Sequence, residues 1–139
     1  MAYIKESPIR SRQRVYVDID QSFEPHPNSG DVTRKIDLNA VKQSVRNILL
    51  TNKGEKPFNP NFGCNLRGYL FELFTPSLAA ALREAIRYNL TNYEPRIEIQ
   101  NISVVDNSDN NALQVTVDYS IVSPGANTDT VTVLLERLR

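Results

Sequence analysis

Few side chains in this sequence can do chemistry, and their identities narrow the options at once. Cys64 is the one cysteine and His26 the one histidine, so a disulfide framework, a Cys/His zinc site and a nucleophilic triad with a spare imidazole are nearly excluded by inventory. Carboxylates remain. Two of them can act as general acid and base on a glycosidic bond when they flank a sugar cleft about 5–9.5 Å apart. Glu72 and Glu84 fall on expected helices and Asp118 on the wet face of an expected strand, and no spacing among them marks a catalytic pair. No catalytic residue, cofactor or metal ligand is assigned.

Two other arrangements suit recognition better than catalysis. In Glu94-Pro95-Arg96 the outer residues are two apart in an extended segment and so project to the same side of a rigid proline. They make a compact clamp of two signs: Arg96 can grip a partner carboxylate bidentately while Glu94 accepts that partner's donors. The same residues could instead brace the preceding helix, with Arg96 satisfying its last carbonyls. The second arrangement is the uncharged, β-branched run Val131, Thr132, Val133, Leu134 and Leu135 close to the C-terminus. A final strand at a sheet edge carries unpaired N–H and C=O groups and can recruit an incoming strand. Were it an interior strand, Asp129, Glu136, Arg137 and Arg139 would simply guard its ends.

The elements that must position these groups follow from periodicity. Residues 1–35 show no sustained period and contain Glu24-Pro25-His26-Pro27-Asn28-Ser29-Gly30, which interrupts regular structure. They read as an extended N-terminal arm with one short strand possible around Val15, Val17 and Ile19, ahead of one domain over 36–139. Leu38, Val41, Val45, Ile48 and Leu49 recur every three or four residues, predicting a helix over 38–51 with Asp37 as N-cap. The loop Lys56–Asn65 holds Phe58 and Phe62, expected to plug the core edge, and Cys64, expected as a small buried hydrophobe. A short helix is expected over 66–74, anchored by Leu66, Leu70, Phe71 and Phe74. Thr75-Pro76 then caps and starts a third helix, which ends before Pro95.

Beyond Arg96 the period becomes two. Ile97 and Ile99 have one parity and Ile102 and Val104 the other, so a bulge near Asn101 is expected. Residues 106–111 read as a hairpin loop, Leu113 to Ile121 as a strand with one buried face, 123–127 as a second turn, and 128–138 as the last strand. The fold class is α+β: about three helices on one face of a small antiparallel sheet, the sheet being a C-terminal three-strand meander.

Composition agrees with such a domain. The 139 residues are 40% hydrophobic and 23% charged, with 16 basic and 16 acidic side chains, so no cationic excess marks a nucleic-acid binder. No segment approaches a membrane span or a signal peptide, so the expected site of synthesis is the cytosol. The zero net charge is a sum of opposites: residues 1–96 hold 14 Lys and Arg against 10 Asp and Glu, whereas residues 97–139 hold 2 against 6. An acidic sheet region thus follows a moderately basic helical one.

Several stretches, taken in order, resemble one family. They are Ser29-Gly30-Asp31-Val32, Val41 to Thr51, Pro57-Phe58-Asn59-Pro60-Asn61-Phe62-Gly63-Cys64, Leu70-Phe71-Glu72 and Asn92-Tyr93-Glu94-Pro95-Arg96-Ile97. Together they are similar to the lysozyme-like baseplate wedge proteins of contractile phage tails, which also supply the sheath-initiating baseplate component of type VI secretion and related injection machines. The resemblance implies a structural protein of the virion tail baseplate, assembled in the host cytoplasm, monomeric alone and present in several copies in the symmetric baseplate. It implies that Glu94, Pro95 and Arg96 contact the wedge core, and that sheath arms add strands to the C-terminal sheet through residues 131–135. The acidic region after Ile97 would then face the sheath, with complementary charge on the sheath arms. Peptidoglycan cleavage, the origin of the "lysozyme-like" name, is the alternative, and a small adaptor unrelated to tails is a third possibility.

Overall fold

In a computed structural model of the chain, residues 16–107, 112–122 and 128–136 are described. The helix α1, Leu38–Leu50, forms where the three-and-four spacing placed it and buries Ala40, Val41, Val45, Ile48 and Leu49. Asp37 precedes it but does not cap it through its side chain. At φ 47° and ψ −112° it lies outside the extended geometry of a capping residue. Its carboxylate instead accepts the Tyr16 N–H at 3.2 Å, and its own N–H donates to the Tyr16 carbonyl at 2.7 Å.

That double contact fastens a two-stranded hairpin where the sequence predicts one short strand at most. Strand β1, Val17–Ile19, pairs antiparallel with β2, Arg34–Ile36, in the register Val17 to Ile36 and Ile19 to Arg34. Val17 and Ile19 point outward and Asp18 inward, the reverse of the usual alternation.

Past α1 the chain turns through an ordered loop. Gly63, at φ +102°, lies so close to the end of α1 that a Cβ there would collide with the Thr51 carbonyl, so only glycine closes the loop at this point. Phe62 packs edge-on against Tyr93 with ring centroids 4.9 Å apart, and Cys64 is buried. Phe58 does not plug the core. It sits at φ +64° in the turn closed by the Asn59 N–H to Lys56 carbonyl bond, and its ring is fully exposed.

The short helix expected over 66–74 is a 3₁₀ helix, Leu66–Phe71. Leu66 and Leu70 are buried and Phe74 is half-buried, but Phe71 is exposed, as is Leu73. Three residues per turn rather than 3.6 take Phe71 off the buried side. The second α-helix, α2, Pro76–Tyr93, starts as expected, with Thr75 Oγ1 accepting the Leu78 N–H at 3.2 Å.

Strands β3, Ile97–Asn107, β4, Ala112–Ile121, and β5, Thr128–Glu136, form an antiparallel sheet in the order β3-β4-β5. The expected bulge is present: the register passes from Ile99 opposite Tyr119 to Asn101 opposite Asp118. Gln100 is therefore the extra residue, and Ile97, Ile99, Ile102 and Val104 all pack against the core. Asp106 and Asn107, expected in a loop, belong to β3 and pair with Leu113 and Ala112; the continuing backbone ladder overrides their weak strand preference. Residues 108–111 of the expected hairpin loop, the expected turn over 123–127 and residues 137–139 lie outside the described residues, as do residues 1–15 of the expected arm. One sheet face meets α1, α2 and the 3₁₀ helix around Val45, Leu49, Leu66, Leu82, Ile86, Val115, Val117 and Tyr119. The other carries polar rows such as Asn101, Asp118 and Thr130.

Candidate functional site

The Glu94-Pro95-Arg96 element sits where α2 ends and β3 begins. Pro95 stops the helix at Tyr93, leaving Glu94 as its C-cap. Glu94 is only 2% exposed. Arg96 turns back on it with both prongs, Nε to Oε1 at 2.6 Å and Nη2 to Oε2 at 2.7 Å. The bidentate fork expected for a partner carboxylate is thus filled from within the chain. Nor does Arg96 brace the helix carbonyls, since its third nitrogen, Nη1, donates to Asp18 Oδ2 at 3.1 Å. The Tyr16 ring lies below the guanidinium at 5.4 Å, and the Tyr16 hydroxyl donates to the Val122 carbonyl at 2.9 Å.

Electrostatics follow from this closure. Burial opposes ionisation of Glu94, but hydrogen bonds from Arg96 and Ser44 and the adjacent positive charge outweigh it and hold the carboxyl below its ordinary range. The same Glu94 bonds, aided by Asp18 against the cost of burial, raise the Arg96 pKa and keep the side chain cationic. Sequence spacing predicted that residues 94 and 96 would point together. It gave no sign of Asp18, the third member, which is 78 residues away and reaches Arg96 only because β1 is inverted.

The second predicted site, residues 131–135, lies in β5. That strand is at a sheet edge, paired only with β4 among the described strands. Val131, Val133 and Leu135 are buried against the helices, while Thr132 and Leu134 are exposed on the opposite face.

The carboxylates weighed for catalysis do not converge. Glu72 and Glu84 are exposed on the helical side. Asp118 lies on the far face of the sheet, where it accepts Thr130 Oγ1 at 2.7 Å and Asn101 Nδ2 at 3.3 Å. Among the described residues, no group of three His, Cys, Asp or Glu side chains could hold a metal ion. Burial pushes the Cys64 thiol up to about 12, which removes it as a nucleophile at neutral pH. No helix of the described residues is long and apolar enough to cross a membrane.

Comparison with known proteins bears on what these features serve. The profile of the family described as "Baseplate wedge protein gp25" matches residues 37–125, which include α1, the Glu-Pro-Arg element and most of the sheet. The chain belongs to the baseplate wedge protein gp25 family. Its relative in Enterobacteria phage T4, itself named baseplate wedge protein gp25, is 37% identical over 109 residues, covering 78% of this chain and 82% of the relative. The fold recurs in solved structures of contractile machines. A chain of the anti-feeding prophage baseplate aligns with a TM-score of 0.61 at 18% identity, over 88% of this chain and 87% of that one. A chain of the pyocin R2 baseplate after contraction aligns at 0.56 and 21%, over 88% and 99%. A protein described as a putative tail lysozyme from Geobacter sulfurreducens aligns at 0.57 and 22%, over 70% and 89%. As a gp25 family member, the chain is a component of a contractile tail baseplate.

Proposed function

We propose that this protein is a non-enzymatic structural part of the baseplate that links the wedge to the sheath, and that it templates the first sheath ring by strand addition to β5. The observation that carries the reading is the state of the two sheet edges. Strand β5 runs nine residues in unbroken register with β4, and it is uncharged from Thr130 to Leu135. Its inner side chains are already packed, so an arriving strand meets a regular row of N–H and C=O groups. Strand β3, on the other edge, is broken by the bulge at Gln100, a feature that blunts pairing.

The wedge side is assigned to Glu94, Pro95 and Arg96. Since Glu94 fills the Arg96 fork, a wedge protein would meet what the ion pair builds: exposed Pro95, the outer flank of Arg96 and the partly open carboxylate of Asp18. Membership of the gp25 family supports a wedge position, and several copies would sit in the symmetric baseplate assembled in the host cytoplasm. The name of the Geobacter neighbour favours peptidoglycan cleavage instead. At 22% identity that likeness concerns the fold, and the scattered positions of Glu72, Glu84 and Asp118 give the chemistry no cleft.

Three measurements test the reading. Mass spectrometry of intact purified tails should find the protein, and its absence would favour an adaptor outside the tail. Hydrogen exchange of the β5 amides should slow when the tail's purified sheath subunit is added, and unchanged exchange would refute strand addition. Peptidoglycan turnover by the purified protein that disappears in Glu72→Gln or Glu84→Gln would overturn the structural role.

A further inference from the structure

The open edge of β5 forms one wall of a groove. This groove, of about 450 Å³, lies between Val131 and Thr132 of β5, the polar face of α1, and Asp20, Gln21, Ser22 and Lys35 of the hairpin. Its charged lining is Lys35, Lys42, Arg46 and Asp20. Lys35 Nζ lies 3.4 Å from Asp20 Oδ1, and Lys42 Nζ lies 3.3 Å from Asp129 Oδ1. The Arg46 side chain is exposed and has no hydrogen bond or ion pair with any described residue.

Two of the sheet's acids, Asp118 and Asp129, are meanwhile engaged internally. Asp118 is held by Thr130 and Asn101, and Asp129 by Lys42 and the Tyr119 hydroxyl at 3.2 Å. Although the C-terminal region is acidic in sequence, the one charged side chain lining this groove without an ion pair to a described residue is therefore a guanidinium.

We propose that this groove reads an acidic side chain on the strand that adds to β5, with Arg46 as its ion-pair partner. The proposal rests on the strand-addition reading and specifies the chemistry of the incoming segment. A strand paired to β5 would lie about 4.8 Å farther out, with successive side chains alternating between the two faces. One parity turns toward α1, the side on which Val131, Val133 and Leu135 are buried. An Asp or Glu of that parity beside Val131 enters the groove below Arg46, whereas the same residue moved by one position faces the polar side of the sheet. The carboxylate thus fixes register as well as affinity, and the planar guanidinium suits it better than an ammonium because it can bind both oxygens.

The test titrates the tail's purified sheath subunit into the wild-type protein, Arg46→Lys and Arg46→Glu at two salt concentrations, following exchange of the β5 amides in each. Arg46 is exposed, so the variants should fold, and near-ultraviolet circular dichroism checks this. Arg46→Glu should weaken binding by about tenfold or more. Arg46→Lys should retain an intermediate affinity. Added salt should weaken wild-type binding and lose that effect in Arg46→Glu. Replacing the helix-side acid of the sheath segment by Lys should restore binding to Arg46→Glu. Equal binding by wild type and Arg46→Glu, with β5 still protected, would overturn the role of Arg46 and leave strand addition intact. No protection of β5 in any variant would overturn both.

Discussion

Replacing Arg96 with Ala removes the side chain that holds both oxygens of a carboxylate 2% exposed to solvent. Breaking a buried pair from one side costs about 3–5 kcal/mol, because the remaining charge is left without its counter-charge. Since the Arg96 side chain is 23% exposed, some of that loss is screened, and about 2–4 kcal/mol is expected. For 139 residues the unfolding entropy is about 0.3 kcal/mol per kelvin, so the melting temperature should fall by about 7–14 °C at pH 7. The pH dependence supplies the sharper check. In the wild type the Glu94 pKa is lowered, so its contribution is present above the ordinary carboxylate range and is lost as pH falls through the lowered value. In Arg96→Ala, burial without the guanidinium should raise that pKa, and acidification should relieve the variant. The stability gap should thus be widest near neutrality and narrow toward pH 4, as read by thermal melts across that range. A second change, Glu94→Gln, should recover part of the loss by removing the stranded charge. A gap below about 1 kcal/mol, or one that is constant from pH 7 to pH 4, would refute this account of the element.

Three other expectations can be checked with the same melts or with simple labelling. Gly63→Ala should cost about 3 kcal/mol, because it combines a left-handed backbone with a clash against the Thr51 carbonyl; a neutral effect would mean the loop closes differently. Thr75→Ala should cost about 1 kcal/mol through loss of the bond to the Leu78 N–H, and Thr75→Ser should restore most of it. Cys64, buried with its pKa pushed up to about 12, should resist thiol reagents at pH 8 and label only as fast as the protein opens. Rapid labelling of the native protein would contradict its burial.

The local features were legible because their causes are local. The spacing of Val41, Val45, Ile48 and Leu49 is itself the buried stripe of α1, Thr75-Pro76 carries its own capping chemistry, and the parity change from Ile99 to Ile102 already contains the bulge at Gln100. Phe58 and Phe71 were misplaced for the converse reason. Apolarity says what a side chain gains by burial, but the positive φ of one and the 3₁₀ winding around the other turned them outward.

The fold class, the family, and the shared direction of Glu94 and Arg96 about Pro95 follow from residue order alone. What the two side chains point at depends on how distant segments pack. Long-range packing brings Asp18 across 78 positions to Arg96, and burial makes Glu94 the guanidinium's nearest and most favourable partner, so a clamp that looked open is closed within the chain. In the same way, net charge along the sequence marked an acidic sheet, whereas the groove beside its edge is lined by Arg46 from a different element, which has no ion pair with any described residue. Coulomb interactions depend on distance in space and on neighbouring counter-charges, neither of which is written in the order of residues.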